Sequence, residues 1–185
     1  MENNGKRTHS VIMAGIGGRG VLSAGRMLAE AAVAYYPHIL WLPTLTTAMR
    51  GDSCECYIVL SDQPIASVNV WSPENLVIID AARLKAFENR VKTGGLILTE
   101  TVGSKERVQR TDVKVVELPA LEMAVEMGDP MVANLIMLGN YIGLTKVVPP
   151  EAIESMLAKK FAGREMVVTA NKEAFWKGVN LAENN

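Results

Sequence analysis

The chain has 185 residues, of which 49% are hydrophobic and 21% charged, a composition that suits one globular domain with a substantial core. Its net charge of −1 gives no long-range attraction to nucleic acid or to an acidic membrane, so neither is expected as a partner. No apolar stretch is long enough to span a bilayer, and the polar start "MENNGKRTHS" lacks the apolar segment of a signal peptide. We therefore expect a cytoplasmic protein whose two cysteines, Cys54 and Cys56, stay reduced.

The first part of the chain alternates strand and helix patterns. "HSVIMAG" predicts a strand, "GVLSAGRMLAEAAVAYY" a helix, and "HILWL" a second strand. The alternation in "SCECYIVL" places Cys54, Cys56, Ile58 and Leu60 on one face of a strand, and it favours core burial of both cysteines over a redox role. The turn "SDQP" and the short strand "IASV" that follows it predict a hairpin.

The rest of the chain continues the alternation and then turns helical. "NLVIID" is typical of a strand buried on both faces, "AARLKAFENRV" predicts a helix, and "LILTE" and "DVKVVEL" predict strands. Helices are predicted over "PALEMAVEMGD", "PMVANLIMLGNYIGL", "PPEAIESMLAKKF" and "NKEAFWKGVNLAEN". This order predicts an α/β fold with a Rossmann-like open, mostly parallel sheet flanked by helices and a helical C-terminal portion. We predict one domain over residues 1–185, with disordered tails at about 1–8 and 181–185.

A glycine-rich loop joins the first strand to the first helix. Gly15, Gly17 and Gly20 have the G-x-G-x-x-G spacing of a dinucleotide-binding loop, in which a ligand approaches backbone amides at a helix N-terminus. The acidic residue expected about 20 positions later, which would hold the ribose hydroxyls, is absent from "HILWLPT". Ordinary NAD binding is therefore disfavoured, and a free-standing nucleotide-binding oxidoreductase is kept as an alternative. A purely structural role would also explain the glycines, because they would let the first helix pack closely on the sheet.

Other polar residues are weaker candidates for a site. Arg19, inside the loop, is predicted either to meet a phosphate or a partner carboxylate or to be solvated. Thr46 and Thr47 offer hydroxyls at the C-terminal edge of the sheet, although a turn-forming role is favoured. Asn134 stands in an apolar helix, and its amide needs partners, which the glycine loop or the loop over 43–52 would supply.

Other patterns favour structural roles over chemistry. The methionines around Met127 and Met131 favour a core role, with a subunit contact as the alternative. The two histidines have no acidic or cysteine partner at catalytic spacing, so we assign no catalytic or metal-binding residue.

Several segments together resemble a known family. The loop "GIGGRGV", a P-x-x-x-x-x-x-R-G segment from Pro43 to Gly51, and the strand that ends "SDQPI" are similar to the gamma subunit of the 2-oxoacid:ferredoxin oxidoreductases. The helices "ANLIMLGNYIGL", "PPEAIESMLAKKF" and "NKEAFWKGV" follow in that family's order, so the resemblance covers about Val11 to Gly178. One loop departs from the family, because Arg50-Gly51-Asp52 stands where the family usually has R-G-G.

The resemblance implies a subunit rather than a complete enzyme. In this family a 2-oxoacid is decarboxylated on thiamine diphosphate, electrons pass through iron–sulfur clusters to ferredoxin, and the acyl group goes to coenzyme A. It implies alpha, beta and ferredoxin-like delta subunits as partners, which would carry the thiamine diphosphate and the clusters, since this chain has two cysteines and no thiamine diphosphate signature. The isolated chain would be inactive. A purely structural assembly subunit is a further alternative.

The resemblance also implies where this chain would act. We expect the glycine loop and the 43–52 loop to form one edge of the active-site or coenzyme A cleft, with coenzyme A at the interface. The candidate binding residues are Gly15, Gly17, Gly18, Arg19, Gly20, Thr46, Thr47, Arg50, Gly51 and Asn134. Arg19 and Arg50 would contact an anion, and the loop amides would donate to it. Asp52 beside Arg50 could pair with that guanidinium and neutralise it.

Overall fold

A computed structural model describes residues 7–45, 53–65 and 72–183 of the chain. The strands are β1 (Thr8–Ile16), β2 (His38–Leu45), β3 (Ser53–Ser61), β4 (Asn75–Ile78), β5 (Leu96–Glu100) and β6 (Lys114–Leu118). The helices are α1 (Val21–Ala32), α2 (Leu84–Phe87), α3 (Ala120–Glu126), α4 (Ala133–Thr145), α5 (Pro150–Lys160) and α6 (Glu165–Ala182), with 3₁₀-helices at Ala81–Arg83, Glu88–Arg90 and Pro130–Val132. Among these described elements, no helix is both long and apolar enough to cross a bilayer.

The described strands form one six-stranded sheet in the order β2-β3-β1-β4-β5-β6. Neighbouring strands are parallel along the part β1-β4-β5-β6 of this order. The strand β3 runs antiparallel to both β1 and β2. The predicted α/β class with a mostly parallel sheet is confirmed. The hairpin and short strand predicted over 65–68 lie largely outside the described residues, and the prediction of a single domain stays a prediction.

Hydrophobic layers cover both faces of the sheet. Cys54, Cys56, Ile58 and Leu60 all belong to the larger layer, which confirms the alternation read from "SCECYIVL". The two thiols are 8% and 0% exposed, so the favoured interpretation of core cysteines is also confirmed. Burial raises the pKa of Cys56 to about 12, which keeps this thiol protonated and unreactive at neutral pH.

The segment 81–91 departs from prediction. Instead of one continuous helix, the four-residue α2 lies between two 3₁₀-helices. Ala81, Leu84, Phe87, Glu88 and Val91 are buried, and three of them (Leu84, Phe87 and Val91) belong to the smaller hydrophobic layer. At the start of this segment the Asp80 carboxylate accepts a hydrogen bond from the Ala82 N–H at 3.1 Å, and this bond closes the first tight turn.

Helices α4 and α6 pack through glycines at backbone distance. A Cβ on Gly139 would lie far inside van der Waals contact with the Phe175 carbonyl oxygen, and one on Gly178 would collide with the Ile136 carbonyl oxygen. The Asn140 side-chain amide donates to the Gly178 carbonyl at 3.2 Å. This close contact fixes α4, and the first turn of α4 reaches the glycine loop described below.

Candidate functional site

The chain leaves β1 and β4 toward opposite faces of the sheet. β1 leads into α1, whose apolar side lies in the larger hydrophobic layer, whereas β4 leads into α2, whose Leu84 and Phe87 lie in the smaller one. β1 and β4 are parallel neighbours. A switch of this kind leaves a crevice at the carboxyl ends of the two strands, and α/β proteins bind ligands there. The fold therefore places the candidate site between the glycine loop and Asp80.

Two clefts flank the glycine loop at this edge. The first has a volume of about 320 Å³ and is lined by the loop, Asp80 and Glu100 on its polar side and by Ile79, Val102, Leu121, Pro130, Met131 and Ala133. The second, of about 400 Å³, runs along the first turn of α1 and Cys54. Gly17, Gly18 and Met131 line both clefts. Both volumes fall within the range of small-molecule sites, roughly 300–1,000 Å³.

The loop glycines have different surroundings. A Cβ on Gly15 would lie 2.8 Å from Val21 Cγ2 and 3.3 Å from the Asp80 nitrogen, so the missing side chain lets the crevice close. Gly20 caps α1 in a left-handed conformation with φ 76°, and a Cβ there would collide with the Asn134 amide. Gly18 also has a positive φ, 93°, but a Cβ there would meet no heavy atom within 4 Å. Gly15 and Gly20 are thus packing positions, whereas Gly18 faces open space.

Asn134 contacts the glycine loop directly. Its amide nitrogen donates to the Gly20 carbonyl at 3.2 Å, and the same carbonyl accepts the Ala24 N–H of α1 at 3.0 Å. The residue is only 7% exposed, so this bond satisfies a buried donor. The structure therefore brings Asn134 to the loop, where it holds the start of α1 in place.

Arg19 faces a carboxylate of the same chain. Its Nε lies 3.7 Å from Asp80 Oδ2, and the two side chains are 44% and 16% exposed. This separation makes an ion pair but exceeds a hydrogen-bond length. The guanidinium predicted to meet an anion thus already has a partner across the crevice, at a distance that leaves it able to turn toward a ligand.

Glu100 is a second carboxylate in the first cleft. Oε1 accepts the backbone N–H groups of Thr101 and Val102, and Oε2 accepts that of Leu121 in the first turn of α3, each at 2.8 Å. Burial raises the pKa of Glu100, with a smaller contribution from the charge of Asp80, while the three N–H donors oppose the rise. Glu100 therefore ties the end of β5 to α3 and adds a second acidic group to the cleft.

The structure brings some of the predicted site residues together at the crevice. Gly15, Gly17, Gly18, Arg19, Gly20 and Asn134 come together at the crevice. Thr46, Thr47, Arg50, Gly51 and Asp52 lie outside the described residues. Sequence reasoning missed Asp80 and Glu100, although each ends an apolar run typical of a buried parallel strand. The carboxyl ends of such strands meet at one edge, which is the signal that would have found them.

The sheet order also bears on the missing ribose carboxylate. In the dinucleotide-binding fold the second strand lies beside the first. Here β3 occupies that place and β2 lies one strand farther out. The end of β2 is thus separated from the glycine loop, and an acid there would not reach a ribose bound at the loop. The order of the strands therefore also argues against ordinary NAD binding.

Fold and crevice together define an α/β chain with a ligand-sized cleft at the switch point of its sheet. The chain matches the family model for pyruvate ferredoxin/flavodoxin oxidoreductase over residues 10–181, and it belongs to that family.

Individual relatives agree. It is 31% identical to the ketoisovalerate oxidoreductase subunit VorA of Methanothermobacter marburgensis over 95% of this chain, but spans only 37% of VorA. It is 29% identical to the 2-oxoglutarate synthase subunit KorC of Methanocaldococcus jannaschii over 96% of both chains. The crystal structure of the pyruvate oxidoreductase subunit PORC of Thermotoga maritima superposes with a TM-score of 0.80 at 28% identity, covering 95% of this chain and 97% of PORC. The resemblance to gamma subunits is confirmed.

Proposed function

We propose that the chain is a non-redox, gamma-type subunit of a thiamine diphosphate-dependent 2-oxoacid:ferredoxin oxidoreductase. In this proposal the glycine-loop cleft forms one wall of the coenzyme A or active-site cleft of the assembled enzyme. The observation that carries it is the glycine loop exposed between two clefts at the switch point of a chain that matches the family over residues 10–181. The relatives named above act on different 2-oxoacids, so we assign the choice of oxoacid to the partner subunits.

The residues of this chain do not fit an iron–sulfur cluster. Such a cluster needs four thiolates, and the two cysteines of the sequence lie side by side on β3 in the core. Within the described ranges, no three His, Cys, Asp or Glu side chains gather where they could hold a metal. We therefore derive no redox step from this chain and propose that alpha, beta and ferredoxin-like delta subunits supply thiamine diphosphate, clusters and the contact with ferredoxin.

The cleft offers three kinds of contact to a coenzyme A-like ligand. Gly17 and Gly18 let a ligand approach the loop backbone closely, and the first turn of α1 has no side-chain cap that competes for its N–H groups. The Arg19 guanidinium is available for a phosphate once it turns from Asp80. The apolar side chains of Ile79, Leu121 and Met131 line the opposite wall and offer an apolar contact surface. Coenzyme A, when bound, supplies the thiol that accepts the acyl group.

The test uses the chain assembled with its partner subunits. Gly17→Asp adds a carboxylate at the loop, and we expect the KM for coenzyme A to rise at least tenfold while the KM for the oxoacid stays unchanged. Asn89→Asp is the matched control, because it adds the same charge at an exposed position outside both clefts. A normal coenzyme A dependence of the Gly17 variant would leave the loop a purely architectural element. A chain that purifies from its host without a thiamine-dependent partner would contradict the proposal as a whole.

A further inference from the structure

The first cleft has an acidic floor that an anion site alone does not explain. Asp80 and Glu100 both line it, and among the described residues that line it Arg19 is the one that carries a guanidinium. A free phosphate placed on this floor would meet two carboxylates, and like charges in a partly desolvated cleft repel strongly. The floor therefore favours a neutral group that donates hydrogen bonds, while a phosphate belongs only beside Arg19.

We propose that this cleft takes the ribose of a nucleotide and that Asp80 Oδ2 accepts a ribose hydroxyl. The inference rests on the proposed function only in treating the cleft as a ligand site.

Asp80 is held in place for such a role. Its Oδ1 accepts the Ala82 N–H at 3.1 Å, and its backbone nitrogen packs against Gly15, which has no side chain to push it away. Oδ2 faces Arg19 at 3.7 Å, beyond hydrogen-bond distance, so it can accept a donor from a ligand without breaking a hydrogen bond to Arg19. A carboxylate oxygen fixed through its partner oxygen is preorganised for an incoming hydroxyl.

Glu100 does not compete for the same role. Both of its oxygens already accept backbone N–H groups at 2.8 Å, whereas among the described residues Asp80 Oδ2 has only the ion pair with Arg19 at 3.7 Å. The remaining walls, Ile79, Val102, Leu121 and Met131, are apolar and suit the carbon faces of a sugar or base. A hydroxyl acceptor, an apolar wall and one guanidinium at the edge together match a nucleotide.

The position of Asp80 replaces the acid missing from the sequence fingerprint. In a dinucleotide-binding loop the ribose acid follows the second strand, a place that β3 separates from the loop here. Asp80 reaches the same loop from the other side of the crevice, at the end of β4. The fold thus supplies a ribose acceptor where the linear motif shows none.

The experiment titrates the full chain, alone and assembled with its partners, with two probes. ADP carries the ribose hydroxyls, and pyrophosphate carries the charge alone. Asp80→Asn keeps the Oδ1 acceptor for Ala82 but replaces Oδ2 with a donor and removes the charge. We expect the affinity for ADP to fall at least fivefold and that for pyrophosphate to rise at least threefold. Loosening of the cleft would move both affinities in the same direction.

Two further arms sharpen the result. With wild-type chain, 2′,3′-dideoxy-ADP is expected to bind at least fivefold more weakly than ADP, and Asp80→Asn is expected to erase that difference. Glu106→Gln is the matched control and is expected to change neither affinity. Glu106 forms an ion pair with Lys85 at 3.8 Å, and it does not line the cleft.

Each other outcome overturns the inference. The inference is wrong if ADP and its dideoxy form bind equally well, or if Asp80→Asn moves the affinities for ADP and pyrophosphate in the same direction. It is also wrong if ADP binds neither the isolated nor the assembled chain. The proposed function is judged separately, by the coenzyme A dependence of the Gly17→Asp enzyme. Failure of the ribose inference therefore does not contradict the proposed function, and the reverse also holds.

Discussion

Two glycine-rich regions of this chain use the missing side chain in opposite ways. At the contact between α4 and α6, the space beside Gly139 and Gly178 is filled by carbonyl groups of the facing helix. At the loop after β1, the space beside Gly18 is open and borders two clefts. Glycine serves packing in the first region and access in the second. Gly20 lies between these cases, because it has a positive φ and also touches Asn134.

The largest effect is expected where the helices touch. Gly139→Ala would force α4 away from the Phe175 carbonyl, and overpacking of this kind costs about 3 kcal/mol of the free energy of unfolding. Urea unfolding followed by circular dichroism measures it. Ser155→Ala, on the exposed side of α5, is the control and is expected to stay within about 0.5 kcal/mol of wild type. A Gly139 variant as stable as that control would contradict a backbone-to-backbone contact.

Gly20→Ala is expected to cost less, about 2 kcal/mol, from the positive φ together with the collision with the Asn134 amide. A double-mutant cycle separates these causes. Asn134→Ala alone loses the bond to the Gly20 carbonyl, worth about 1 kcal/mol. In that background Gly20→Ala retains only the φ strain, so the two costs are expected to fall short of additivity by at least about 0.5 kcal/mol. Strict additivity would mean that the two residues do not share a contact.

Gly18→Ala probes the open side of the glycine loop. A methyl group at Gly18 meets no atom within 4 Å, so only the φ of 93° opposes it. We expect a loss of about 1 kcal/mol, which thermal unfolding detects as a modest fall in Tm. Gly18→Asn is the control and is expected to cost less than Gly18→Ala, because Asn tolerates a positive φ better than Ala. A loss as large as that of Gly139→Ala would show that the loop is packed rather than accessible.

Much of the fold could be predicted because its signals are local. Apolar runs such as "NLVIID" mark strands without knowledge of their neighbours. The neighbours themselves are not encoded locally, so nothing in "SCECYIVL" indicated that β3 would separate β2 from β1. The 3₁₀-helices around α2 were missed for a related reason. Good helix formers fill that segment, and no local pattern in it marks the change to a 3₁₀-helix.

The candidate site shows the same division. The glycine loop is contiguous and could be predicted from spacing, and a buried amide at Asn134 pointed to a polar partner. Asp80 and Glu100 lie far from the loop in sequence, and only the parallel order of β1, β4 and β5 brings them to it. Each looked like an ordinary residue at a strand end until the sheet order was known.

The smallest effect concerns Glu100 and pH. Burial raises its pKa in the folded chain above the ordinary value of 4.5, so the protonated form is favoured by folding. Its contribution to stability is therefore fully present below pH 4.5 and is lost as the pH rises through the folded-state pKa. Glu100→Gln cannot ionise, so the stability of wild type relative to this variant is expected to decline as the pH rises from below 4.5 through the folded-state pKa of Glu100. Chemical unfolding at a series of pH values gives the difference directly and cancels every other titrating group. A difference that instead grows with pH would mean that the three N–H donors outweigh burial. The pKa of Glu100 would then lie below that of a solvated carboxyl group.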